Sequence, residues 1–115
     1  GTQQTQQQSQ AAQAMSGAVT EIQTVDQISS QGESAVGKIF TATLKNKMVI
    51  TDFTTDPKSY WLQGEDSNGK SVLLLISKEM KSKVLEIPIH GMVKLKFKIT
   101  KMEEKIRGEL LEIMN

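Results

Sequence analysis

The sequence predicts an all-β domain with one short helix, its five strands closed into a small barrel. Three observations predict it. Val93, Leu95, Phe97 and Ile99 alternate with Lys94, Lys96, Lys98 and Thr100, a period of two that puts one strand face in a core and the other in water. Four further runs (38–53, 59–63, 71–76 and 106–114) are rich in β-branched, aromatic and aliphatic residues and are separated by turn formers. The chain is only 115 residues long, so it buries a modest share of its surface, and closing the sheet removes edges that would invite aggregation.

Charge and glutamine divide the chain before any strand is assigned. Residues 1–37 contain no Lys or Arg and carry Glu21, Asp26 and Glu33, a charge of −3; the rest hold all 14 basic and 13 − 3 = 10 acidic side chains, a charge of +4. Ten of the eleven glutamines precede residue 32. With Gly32, Ser34 and Gly37 as loop formers, this step places a tail over residues 1–35 and the barrel over 36–115. Residues 1–10 have no apolar side chain, so they have nothing to bury and are expected to be disordered. Ala11, Met15, Ala18, Ile22 and Val25 then step by four and three, one thin helical stripe. The expectation there is a partly helical linker with weak self-association through residues 11–28.

Within the domain, residues 38–53 read as two strands turning at Asn46 or as one long strand bent by a bulge. Residues 54–58 are a turn by composition, and 59–63 a short strand. Asp66-Ser67-Asn68-Gly69 signals a hairpin, Asn-Gly supplying the positive φ that a tight turn needs. Residues 71–76 are apolar on both faces, as in a central or doubly covered strand. Ser77 is placed to cap a helix over 78–85, with Met80 and Val84 inward, and Pro88 ends it. His90-Gly91 turns the chain into the alternating strand, 103–105 is the next turn, and 106–114 is the last strand. The expected core is Phe40, Val49, Leu62, Leu73, Leu75, Val93, Leu95, Phe97, Leu111 and Ile113.

The order strand–strand–strand–helix–strand–strand, the long first strand and the tight hairpin between the second and third resemble the OB-fold over residues 36–115. The resemblance implies a five-stranded barrel that binds through its second and third strands and the loops after the first and fourth. Those segments are residues 52–58, 59–63, 70–74 and 101–107, and they offer Phe53, Lys58, Tyr60, Trp61, Lys70, Lys101, Lys105 and Arg107. The ligand implied is single-stranded DNA or RNA, held by cations on phosphates and aromatic faces under bases. Tyr60 and Trp61 are neighbours in a strand, so one faces the core and the other faces out. Phe53 is the second stacking candidate. Lys94, Lys96 and Lys98 form the strongest local charge; they also read as a solvated face that discourages edge pairing. Against nucleic acid stand an aromatic content of 4%, and Asp52, Asp56, Glu65 and Asp66 near the proposed surface. The alternative is a protein-interaction or assembly subunit of an envelope or secretion complex, with the tail as tether. The first reading places the protein in the cytoplasm, the second in the periplasm or envelope.

Other chemistries fall away. With no Cys there is no disulfide, thiolate metal site or cysteine nucleophile. His90 is the sole histidine, which excludes a multi-histidine zinc site, and beside Gly91 it reads as structural. No apolar run approaches the roughly 18 residues of a membrane-spanning helix. Residues 64–71 match the phosphate-loop pattern G-x-x-x-x-G-K-[ST]. Yet Glu65 and Asp66 would repel an anion, and a β-like run comes next where a helix is required. The pattern reads as a hairpin. A calcium loop through Asp66, Asn68 and Gly69 fails because Gly64 and Leu75 hold its first and last positions. Glu103 and Glu104 are adjacent in a turn and point apart. No enzyme, metal or cofactor is expected.

Overall fold

A computed structural model describes residues 18–114. Its strands are β1 (Val19–Glu21), β2 (Ile39–Asp52), β3 (Ser59–Glu65), β4 (Ser71–Ile76), β5 (Met92–Met102) and β6 (Ile106–Ile113). They lie in the order β1-β2-β3-β4-β6-β5, and β5 returns to pair with β2. Strands β2 to β6 thus close a five-stranded barrel, with β1 added outside the ring. All pairings in the ring are antiparallel except β4 with β6. Helix α1 is Asp26–Ser29, and α2 (Lys81–Leu85) comes after a 3-10 turn at Lys78–Met80 between β4 and β5. No helix among the described residues is long and apolar enough to cross a membrane.

Strand β2 is the hinge of the closure. It runs unbroken through Asn46, so residues 39–52 are one strand, with a bulge between Asn46 and Met48. Before the bulge β2 pairs with β5 (Ile39 to Lys45); from Lys45 onward it pairs with β3. A bulge sharpens local twist and bends its strand, which lets one strand serve two partners. Asn46 is buried at the bend, and its side-chain amide donates to the carbonyls of Ile87 at 3.1 Å and Pro88 at 3.5 Å. Its backbone completes the clasp: Asn46 N–H donates to Gly91 O at 2.9 Å, and His90 N–H donates to Asn46 O at 2.7 Å. His90 holds φ at 70° and contributes its backbone to this clasp. Asn46→Ala is expected to lower stability by about 1–2 kcal/mol, since the buried amide's hydrogen bonds to the carbonyls of Ile87 and Pro88 are lost at the bend; urea unfolding measures it.

The core holds Phe40, Leu62, Val93, Leu95 and Phe97 as expected, with Val49 and Ile113 partly buried against it. The phase of two strands differs from expectation. On β4 the inward residues are Val72, Leu74 and Ile76, so Leu73 and Leu75 lie on the outer face, half-buried. On β6 Ile106, Gly108 and Leu110 point in, and Leu111 is exposed. The cause on β4 is register: Leu74 sits opposite Leu62, which faces the core. The cause on β6 is an irregularity between Lys96 and Phe97 that shifts the alternation past Leu110. The helix after β4 is also shorter than expected, and Ser77 makes no capping hydrogen bond from its side chain; Val84 is buried and Met80 packs against the core.

The segment read as the end of a tail packs onto the barrel. Residues 19–21 form a strand parallel to β2, at Ile39 to Thr41, in place of the helix their spacing predicts. Ile22, Val25, Ile28 and Ala35 are core residues. Two forces override the helical stripe. β3 does not reach past Lys45, so the edge of β2 at Ile39–Thr41 offers unpaired backbone groups that β1 fills. Asp66 then fastens the chain beyond β1, because Val25 N–H donates to Asp66 Oδ2 at 2.7 Å. The stripe residues Ile22 and Val25 are therefore committed to the core, and the expectation of self-association through 11–28 loses them. Ala11 and Met15 lie outside the described residues.

Candidate functional site

Residues 64–71 form the expected hairpin. Asp66 Oδ1 accepts the amides of Asn68 and Lys70 at 2.8 and 2.9 Å, and Gly69 takes φ at 80°. Glu65 is bracketed by Lys45 and Lys47 at 3.8 and 3.2 Å. β4 begins at Ser71, so a strand and not a helix follows this loop, and the carboxylate of Asp66 already holds its amides, so no phosphate cradle forms.

The predicted site residues separate into three groups. The first lies on the outer face of β2, β3 and β4. Because Leu62 faces the core, Trp61 faces out, between Ile50 of β2 and Leu75 of β4. Arg107, opposite Leu73 across the parallel β4–β6 pair, lays its guanidinium over the Trp61 indole at 5.4 Å. Phe53 stands at the end of β2 with 75% of its surface exposed, and Lys58 Nζ sits 5.5 Å from its ring centre. Ile50, Phe53, Trp61, Leu73 and Arg107 line one groove of about 380 Å³. Tyr60 turns the other way, packs against the core and carries Lys81 Nζ over its ring at 3.9 Å.

The second group sits at the hairpin ends. Lys70 and Lys105 line a groove of about 590 Å³ beside α1, and share it with Glu33, Glu103 and Glu104. Lys101 is paired with Glu103 at 3.4 Å. The third group is the β5 stripe. Lys94 is bonded to Glu21 at 3.7 Å, and Lys96 and Lys98 stand opposite Glu112 and Glu109 of β6. These lysines face cross-strand carboxylates, on a strand that pairs with neither β3 nor β4.

One unfilled donor distinguishes the first group. Among the described residues Arg107 forms no ion pair within 4.0 Å, and its buried Nε has no hydrogen-bond partner. An unpaired guanidinium nitrogen out of water is an unfilled donor. Asp52, at the groove's edge, is engaged with its own loop: the Thr54 hydroxyl and then the Thr54 amide hold its carboxyl below the ordinary value, with a smaller contribution from Arg107.

No protein-family model matches the chain, and no curated protein does either. The site therefore rests on its own geometry.

Leu73 and Leu75 belong to this surface, although their sequence pattern places them in the core. The signal was present in residues 71–76. A strand apolar on both faces turns one apolar set away from the core, and here that set is half-buried Leu73 and Leu75. Among the described residues no three His, Asp or Glu side chains gather as a metal site.

Proposed function

We propose that the protein is a non-catalytic OB-type binding module for single-stranded nucleic acid, gripped on the outer face of β2, β3 and β4. The observation that carries the reading is the Phe53–Trp61–Arg107 groove: an exposed aromatic ring, an indole, and a cation whose Nε lacks a partner, all lining one cleft. Base stacking on aromatic faces tolerates any sequence and contributes about 1–3 kcal/mol per base. The strand order also supports membership of the OB superfamily: three antiparallel strands, a parallel return from the third to the last, and closure of the fourth on the first. Lys58 beside Phe53 supplies phosphate contact. The β5 lysines, facing Glu21, Glu109 and Glu112, are assigned to the solvated wall.

Fluorescence anisotropy with a labelled oligothymidylate of about 16 nucleotides, the upper site size for one such barrel, tests the reading. Binding is expected at low salt and should weaken with a log–log slope of roughly −2, as about three phosphates are neutralised at −0.7 each. Phe53→Ala is expected to reduce affinity about tenfold, since it removes one stacked base, while the unfolding midpoint stays unchanged because the ring is largely in solvent. A triple Lys94→Gln/Lys96→Gln/Lys98→Gln variant should lose less than threefold. Absence of binding at low salt would end this reading.

A further inference from the structure

A second groove, of about 840 Å³, lies between the β2–β3 loop, the start of α2, the end of β4 and the adjoining part of β6. Its floor is aliphatic: Leu75, Leu110, Leu111 and Met80 line it. Lys58, Lys78 and Lys81 stand around it, and among the described residues Glu109 is the one acidic side chain in its wall. Glu109 is the register partner of Lys98 on β5 and of Leu75 on β4, so one carboxylate stands among three lysines and the wall is positive on balance. Leu111 is 39% exposed, a branched aliphatic side chain left in solvent beside three positive charges.

This chemistry differs from that of the Trp61 cleft. Among the described residues the only aromatic ring here is Tyr60, and Lys81 already covers its face at 3.9 Å; the ammonium beside the phenol holds that phenol below its ordinary pKa. No ring is open for a base to stack on. Aliphatic walls instead take aliphatic or aromatic side chains, and the surrounding lysines take carboxylates. We infer that this groove docks a peptide segment of a partner protein in which acidic residues flank bulky apolar ones. Apolar side chains enter between Leu75, Leu111 and Met80, and the flanking carboxylates meet Lys78 and Lys81. The two ligands would then occupy neighbouring surfaces, with Lys58 lying between Phe53 and the peptide groove.

The test is an array of ten-residue synthetic peptides in which aspartate content and leucine or phenylalanine content vary independently, probed with the full chain. Capture is expected only where both are high. The best peptide, labelled and titrated in solution, should lose about tenfold in affinity with Leu111→Gln, which changes no charge, and about tenfold with Lys78→Gln/Lys81→Gln. Neither change should alter oligothymidylate binding more than twofold. Leu111 and Lys78 are exposed and Lys81 is half-buried over Tyr60, so circular dichroism checks the fold of both variants. No captured peptide, or capture that tracks aspartate content alone, would overturn the inference. So would variants that weaken the oligonucleotide and leave the peptide untouched, since the groove would then belong to the nucleic-acid surface.

Discussion

Replacing Gly108 by alanine is expected to destabilise the protein by about 3 kcal/mol, the upper end of what overpacking a core does. The reason is the way β6 closes the barrel. Gly108 lies between β4 and β5, opposite Leu74 on one side and Ile99 on the other. A Cβ there would stand 2.6 Å from the backbone oxygen of Lys98 and 3.2 Å from Leu74 Cδ2. The carbonyl is part of the β5–β6 ladder and cannot withdraw without breaking the pairing that closes the ring. Gly64 provides the control. There a Cβ meets Leu44 Cδ1 at 2.9 Å, the end of a side chain that can rotate, so Gly64→Ala should cost about 1 kcal/mol. At about 4–8 °C per kcal/mol for a domain of this size, thermal unfolding should separate the two by roughly 8–16 °C. Gly108→Ala should also weaken oligonucleotide binding, because β6 carries Arg107 to Trp61. A Gly108→Ala protein within 1 kcal/mol of the wild type would show that β6 has slack this structure does not contain.

The same closure explains what could be read in the sequence. Strand period is local, so β5 was legible from Val93 to Ile99, and Phe40 and Phe97 were each legible as core residues, while their pairing across β2 and β5 was not. Turn chemistry is local too, which is why Asp66 to Gly69 could be separated from a phosphate loop. The phase of β4 was not local. Val72 to Ile76 alternates apolar with apolar, and only the register with Leu62 decides that Leu73 and Leu75 face out. The same register decides between Tyr60 and Trp61. The greatest departure, residues 18–35, has one physical root. Apolar spacing at Ala18, Ile22 and Val25 satisfies a helix, but the open edge of β2 and the carboxylate of Asp66 lie 20 to 41 residues further along the chain. Contacts at that distance leave no mark in a local pattern. The site divided in the same way: Phe53, Lys58, Trp61 and Arg107 converge because three strands bring them together, while the β5 lysines, the loudest charge in the sequence, face carboxylates that only the register reveals.

Asp66 carries the second large effect, and its consequences depend on pH. The residue is 4% exposed, and its carboxylate accepts three backbone amides: Val25 on Oδ2, and Asn68 and Lys70 on Oδ1. Burial pushes the carboxyl up, but these amides and the Lys70 charge outweigh it and hold Asp66 below the ordinary carboxylate value. In Asp66→Asn the amide nitrogen replaces Oδ2 if the two hairpin bonds are kept, and two N–H groups then face each other at Val25. If the amide turns over, the hairpin amides meet it instead. Either way a buried donor is orphaned and the charge is lost from three hydrogen bonds, so the expected loss at neutral pH is about 3 kcal/mol. A folded-state pKa below the unfolded value of about 3.9 stabilises the fold above that value, and the contribution fades as pH falls through the folded pKa. The gap between wild type and Asp66→Asn should therefore be widest near pH 6 and narrow steadily below about pH 4. Chemical denaturation across pH 2–7 measures both curves. Val25 is the point where α1 and the residues after β1 are tied to the β3–β4 hairpin, so hydrogen exchange in the variant should rise first at Val25 and Ile28, ahead of the β2–β5 ladder. A gap that stays constant with pH would mean that the charge of Asp66 contributes nothing, and that the segment is held by Ile22, Val25, Ile28 and Ala35 alone.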